Sequence, residues 1–172
     1  GIPMELTQYK NLCWIVYSSG LIRCWDYTSH EFIFQETRFL NIIGDFTDRI
    51  YIHPDSVGNI WLMYNNAVYF HHRINRDWKE VATIKGISNF FTCMDMDNEG
   101  NVWVGTSKSG LRYIDGKTFE ATHLPGMRLI NGGIQDNDIY TLFIDPNNGI
   151  WIGTLFQGLC YYHPSMQKFQ LI

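Results

Sequence analysis

Asp97-Asn-Glu-Gly-Asn-Val-Trp-Val-Gly-Thr-Ser-Lys-Ser-Gly-Leu-Arg-Tyr-Ile-Asp115 returns 48 residues later as Asp145-Pro-Asn-Asn-Gly-Ile-Trp-Ile-Gly-Thr-Leu-Phe-Gln-Gly-Leu-Cys-Tyr-Tyr-His163. A weaker copy runs from Asp55 to Phe70, and the weakest from Leu12 to Trp25. Aligned on Trp14, Trp61, Trp103 and Trp151, the copies stand 47, 42 and 48 residues apart. A repeat with a near-constant period and variable loops is the mark of a modular fold, so the repeat organises everything else.

Each copy reads as four short strands. In the last, Asp138 to Ile144 is an apolar β run ended by Asp145-Pro-Asn-Asn-Gly149, a turn in which Pro146 sets φ and Gly149 is free to take φ > 0. Gly149 to Thr154 follows as a strand, Phe156-Gln-Gly158 as a hairpin turn, Leu159 to Tyr162 and Lys168 to Ile172 as two more strands. The first unit repeats this with Met4–Tyr9, Leu12–Tyr17, Leu21–Tyr27 and Glu31–Gln35. Val102, Trp103 and Val104 are consecutive, so the inner strands are apolar on both faces, as in a sheet packed from both sides. No stretch of ten residues carries a 3.6-residue apolar period. The expected fold is all-β: four four-stranded antiparallel β-propeller blades of about 45 residues, at 1–40, 41–88, 89–130 and 131–172. The repeated Trp would fill the wedge between blades. Gly105 and Gly153 follow two residues later on the same face, where bulk would not fit, and Gly110 and Gly158 recur in the hairpins.

At these residues the chain resembles the two-component-regulator propeller repeat, Asp-x-x-Gly-Asn-Val/Ile-Trp-Val/Ile-Gly-Thr-x-x-x-Gly-Leu. The resemblance is close at 97–114 and 145–162, partial at 55–69 and degenerate at 12–25, where Gly-Thr becomes Val16-Tyr17; in the second unit it becomes Met63-Tyr64. The family implies the extracytoplasmic, periplasmic sensor part of a hybrid two-component histidine kinase of Bacteroidetes, with larger propellers, a membrane helix and cytoplasmic kinase parts elsewhere. Four blades would then be a fragment of the sensor. The chain also opens without Met, which supports reading it as a piece of something longer.

Composition narrows the function. The 172 residues are 45% hydrophobic and 17% charged, with 6 Trp, 10 Tyr, 11 Phe and 15 Gly, which suits a packed β protein. A net charge of −4 argues against a nucleic-acid partner, and no apolar run is long enough to insert in a bilayer.

Candidate chemistry is sparse. Asp95-x-Asp97-x-Glu99-Gly100 opens like a calcium loop, but position twelve is Thr106 where a bidentate Glu is needed, so it reads as a turn. His30, His53, His71, His72, His123 and His163 lack metal-pair spacing, and no Cys-x-x-Cys occurs, so neither metal nor cofactor is expected. No Gly-x-Ser-x-Gly occurs, and Asp138 and Asp145 stand about 20 Å apart along one strand, too far for a glycosidase pair; with Asp136 they read as turn formers. No catalytic residue is assigned.

Aromatic rings stack on sugars, and loop aromatics beside amides are the composition such a site wants. The second-to-third-strand turns and blade connections hold Tyr64, Asn65, Asn66, Lys108, Arg128, Asn131, Phe156 and Gln157, the candidate ligand residues. With Ser18-Ser19 as a two-residue hairpin loop, Cys13 and Cys24 would face each other, leaving free thiols or a strained disulfide open. The expected function is a ligand-sensing segment for an oligosaccharide; the alternatives are a protein-interaction or dimerisation scaffold and, behind it, a glycan lyase or hydrolase. The end blades are expected to meet remaining blades of the same protein or to pair as a homodimer, two arcs closing one ring.

Overall fold

Each repeat folds into one four-stranded antiparallel sheet in the computed structural model, which describes residues 1–43, 50–84, 90–124, 137–163 and 168–171. The first sheet is β1 (Pro3–Tyr9), β2 (Leu12–Tyr17), β3 (Ile22–Asp26) and β4 (Glu31–Glu36), followed by a single helical turn, α1 (Leu40–Ile43). The second is β5 (Ile50–Pro54), β6 (Ile60–Tyr64), β7 (Ala67–His71) and β8 (Trp78–Thr83). The third is β9 (Phe91–Met96), β10 (Val102–Thr106), β11 (Leu111–Ile114) and β12 (Ala121–Leu124). The fourth is β13 (Ile139–Ile144), β14 (Ile150–Thr154), β15 (Gly158–His163) and β16 (Lys168–Leu171). In every sheet the spatial order follows chain order, the meander that short turns impose.

The Asp turns explain themselves through one side chain. Oδ1 of Asp55, Asp97 and Asp145 each accepts the backbone N–H groups two and four residues on, all between 2.8 and 3.0 Å. Left-handed backbone falls on Gly58 (φ 89°), Gly100 (φ 87°) and Asn148 (φ 64°). Thus Gly149 does not supply the positive φ expected of it; Asn148 does, since Asn tolerates that region. Gly149 is needed for closeness instead, because a Cβ there would collide with Asp145 Oδ2 and the Tyr161 ring.

The first hairpin also differs from expectation. Gly20 (φ 76°) belongs to the loop: its N–H donates to the Tyr17 carbonyl, and Tyr17 N–H donates to Leu21. A three-residue loop with a left-handed Gly shifts the register by one, so Cys13 pairs with Trp25 and Trp14 with Cys24. Adjacent positions point to opposite faces, and both cysteines are free thiols.

By contacts the chain divides into two units, Gly1–Glu80 and Val81–Ile172. In the first, the sheet face with Trp14, Val16, Ile22 and Cys24 buries against Ile52, Ile60, Leu62 and Tyr69 of the second sheet. Every position of β6 and β7 is buried, as strands apolar on both faces require. In the second unit, Cys93, Trp103 and Leu111 pack on Ile150, Ile152 and Cys160, with Trp103 and Tyr162 rings 6.2 Å apart. Polar bonds clasp these two sheets: Asp95 Oδ2 accepts the Ile144 N–H at 2.7 Å, and Asn98 bonds both Asn148 Oδ1 and the Pro146 carbonyl.

Candidate functional site

The turn between second and third strands is built the same way in repeats three and four. Thr106 Oγ1 accepts the Ser109 N–H at 3.0 Å and donates to the Gly110 carbonyl at 2.8 Å. Thr154 Oγ1 accepts the Gln157 N–H at 3.1 Å and donates to the Gly158 carbonyl at 3.2 Å. Gly110 (φ 72°) and Gly158 (φ 79°) complete the reversal in backbone that favours glycine. The repeated Thr and Gly therefore hold a turn that leaves Lys108 exposed in repeat three and Leu155 and Phe156 exposed in repeat four.

Both turns flank one segment. Gly110 N–H donates to the Asn137 carbonyl, and Leu155 N–H donates to the Asp138 carbonyl. On the other side Ser107 exchanges bonds with the Phe90 backbone, and His123 Nε2 meets the Ser109 carbonyl. This end of the second unit thus presents Lys108, held at φ 79°, on one turn and Phe156, which is 78% exposed, on the other, with Gln157 half-buried. Phe90 and Tyr140 are exposed here too. Neither was assigned from the sequence. Phe90 precedes the buried Phe91, and neighbouring aromatics at a strand start must point to opposite sides, a signal that was present. Tyr140 stands at the irregularity between Ile139 and Thr141, which alternation alone does not reveal.

The other candidates are placed differently. Tyr64, expected on a loop, ends β6 at 3% exposure inside the first core, so it is a packing residue. Asn65 (φ 51°, exposed) and Asn66 form the two-residue hairpin of the first unit, where Tyr64 pairs with Ala67. Arg128 and Asn131 lie outside the described residues. Of the repeated Trp residues, Trp14, Trp61 and Trp103 are buried and Trp151 is half-buried. A Cβ on Gly105 would lie 2.5 Å from Cys93 Sγ and 2.7 Å from Ile139 Cγ2; one on Gly153 would lie 2.5 Å from Thr141 Cγ2.

One titratable cluster is buried. Glu36, at the end of β4, accepts Arg38 through both carboxylate oxygens, and its Oε2 stands 3.3 Å from Nε2 of the fully buried His71. The imidazole lies between the Phe34 and Trp78 rings, at 5.9 and 4.8 Å. Burial pushes His71 down, with Arg38 and Arg76 adding to the effect of burial and Glu36 opposing it, so it lies below its usual value. Burial raises Glu36, but hydrogen bonds and charge from Arg38, with His71, carry it below the usual carboxylate value. Glu36 and His71 are buried and Arg38 covers them from the surface, half exposed, a network occupied by its own ion pair and hydrogen bonds. Exposed rings beside an ammonium and an amide offer stacking and hydrogen bonding, the chemistry of holding a ligand.

Residues 85–108 and 133–156 match the family described as "Two component regulator propeller". Each match takes in the first two strands of a sheet and ends in the Thr-capped turn. No curated protein matches the chain. Among solved structures it is similar to the extracellular domain of a putative hybrid two component system of B. thetaiotaomicron (17% identity, TM-score 0.63, 92% of this chain and 21% of that one). A second such domain from the same organism gives 14% identity and TM-score 0.62, over 98% of this chain and 23% of that one. Virginiamycin B lyase of Staphylococcus aureus gives 13% identity and TM-score 0.68, over 98% and 54%. The chain spans about a fifth of the first of these, and likeness at such identities shows the fold. The four meander sheets make this an all-β propeller chain, and two of its segments, 85–108 and 133–156, match the two-component regulator propeller model.

Proposed function

We propose that this chain is a non-catalytic, ligand-sensing propeller segment on the extracytoplasmic, periplasmic side of a hybrid two-component signalling protein. Its ligand is an oligosaccharide, and its output reaches a histidine kinase elsewhere in the longer protein. The observation that carries the reading is the pair of matched repeats at 85–108 and 133–156, each ending in a turn that displays Lys108 or Phe156. The similar extracellular domains of hybrid two component systems support it. Sugar rings offer C–H faces to aromatic rings and hydroxyls to ammonium and amide groups, and that is the chemistry gathered around Phe156, Phe90, Lys108 and Gln157. Ligand binding at this end would act by favouring one arrangement of the sensor over another.

The test is calorimetry of the chain against pools of glycan-derived oligosaccharides, with product analysis of the same mixtures. Binding without turnover, weakened at least tenfold in Phe156→Ala and Lys108→Ala, is the expected result. Turnover would point to a lyase or hydrolase, and failure of every pool to bind would favour a protein-interaction scaffold.

A further inference from the structure

Equivalent turns of the four sheets keep the same hydrogen bonds while their tips vary. The turn between first and second strands carries Val57 in the second sheet, Glu99 in the third and Asn147 in the fourth, and each gives its N–H to the capping Asp two residues before it. The turn between third and fourth strands carries Ile74 in the second sheet, Thr28 in the first and Lys117 in the third. Backbone bonds set that equivalence: Arg76 N–H donates to the His72 carbonyl, as His30 does to Asp26 and Phe119 to Asp115. Arg76, His30 and Phe119 all take positive φ. Val57 is 61% exposed and Ile74 83%. At each place two sibling turns hold with polar tips, so the fold does not require an aliphatic there.

The two tips are fixed together and set among arginines. Arg73 N–H donates to Asn59 Oδ1 at 3.0 Å, and its Nη1 donates to the Val57 carbonyl at 3.0 Å, which binds the two turns to each other. Arg38 Nη2 donates to the Arg76 carbonyl and brings a third guanidinium to the same end. Charge around these turns balances in sum but not in placement. Asp55 is spent on its own turn and Glu36 is buried against Arg38, whereas Arg38, Arg73 and Arg76 are exposed, with Asp77. The outward layer is thus mostly cationic on a chain of net charge −4. Salt limits the reach of charge to about 8 Å at physiological ionic strength, so this layer governs what the turns meet.

We propose that the Val57 and Ile74 turns form a peripheral membrane contact. The aliphatic tips enter the headgroup and acyl boundary of an anionic phospholipid surface, and Arg38, Arg73 and Arg76 meet its phosphates. Both tips project from turns. A fluid bilayer receives projecting aliphatics without a matching cavity, whereas small ligands are held in concave sites. The contact lies on the surface and needs no crossing segment; no helix of the described residues is long and apolar enough to cross a membrane. It belongs to the first unit and does not depend on the Lys108 and Phe156 turns of the second.

Co-sedimentation with vesicles of equimolar phosphatidylcholine and phosphatidylglycerol tests this, with phosphatidylcholine vesicles as the reference. The chain should bind the anionic vesicles and not the reference, and binding should fall as salt rises. Val57→Asn combined with Ile74→Thr takes the residues of the fourth and first sheets and leaves charge unchanged. That double variant should lose roughly tenfold in vesicle affinity with its melting transition retained, because aliphatic carbons no longer enter the boundary. Arg76→Gln should lose about fivefold, the share of one basic residue near an anionic surface. A chain that does not sediment with the anionic vesicles overturns the proposal. So does a double variant that binds like the wild type, since attraction by charge alone, as to an acidic protein, survives loss of the tips.

Discussion

The indole N–H of Trp103 donates to Oδ2 of Asp97 at 3.1 Å, and Trp151 meets Asp145 at the same distance. Six residues apart in sequence, the Asp that opens the repeat pattern and the Trp at its middle are bonded to each other. The Trp is thus more than a filler: it anchors the carboxylate whose other oxygen organises the turn. Asp97 collects the N–H groups of Glu99 and Asn101, the Asn101 side chain and the indole. Asp97→Ala should therefore cost about 2 to 4 kcal/mol, since several charge-assisted bonds go at once and their donors lose a partner. Urea unfolding measures this, and a change below about 0.5 kcal/mol would show that the turn holds itself.

Acid should weaken the fold in two windows. His71 lies below its usual 6.5, so the folded state binds fewer protons than the unfolded one, and stability present above that pH falls as pH drops through it. Glu36 lies below its usual 4.5, and Asp145, bonded by the Gly149 N–H and the Trp151 indole, lies below its usual 3.8. Their contribution is present above those values and is lost as pH falls further. His71→Phe keeps an aromatic ring between Phe34 and Trp78 while removing the first titration. It should flatten the urea midpoint between pH 7 and 5 and leave the loss below pH 4.5 in place. An unchanged slope in that variant would remove His71 from the account.

Tyr64 and Phe156 should part company. Tyr64 is core, so Tyr64→Ala should cost about 3 to 5 kcal/mol, the range for emptying an aromatic site. Phe156 extends from a turn, so Phe156→Ala should change stability by less than about 0.5 kcal/mol. Thermal melts of the two variants decide this, and equal losses would mean that the β14–β15 turn is packed rather than presented.

The strands and their order are readable because short apolar runs and the Asp-x-x-Gly turns between them are local features of the chain. Tyr64 was misplaced for a related reason: it sits at the edge of a strand, where one residue of uncertainty in the hairpin moves an aromatic from loop to core. Gly20 shows the same sensitivity, since counting it in the strand instead of the loop set Cys13 opposite Cys24. What could not be read was the bonding between repeats. Asp95 to Ile144 and Asn98 to Asn148 join residues some 50 apart, and no spacing within one repeat predicts them. The exposed pair Phe90 and Phe156 belongs to this class, because it is brought to one end by two different repeats.

The shifted hairpin register has a chemical consequence. Cys13 and Cys24 sit at neighbouring register positions on opposite faces, so no disulfide forms between them without remaking the sheet. Burial pushes the Cys24 thiol up to about 11, with Cys13 and Asp26 adding to it, and burial carries Cys93 to about 11 as well. At pH 8 such thiols are ionised on the order of one part in a thousand, and the thiolate is the reactive form. Cys160 is buried too, which leaves the half-buried Cys13 as the accessible thiol. Ellman's reagent at pH 8 should therefore label at most one thiol in the folded chain, lose that signal in Cys13→Ser, and titrate all four in urea. Rapid labelling of two or more, or an intact-mass deficit of two hydrogens under non-reducing conditions, would return Cys13 and Cys24 to one face.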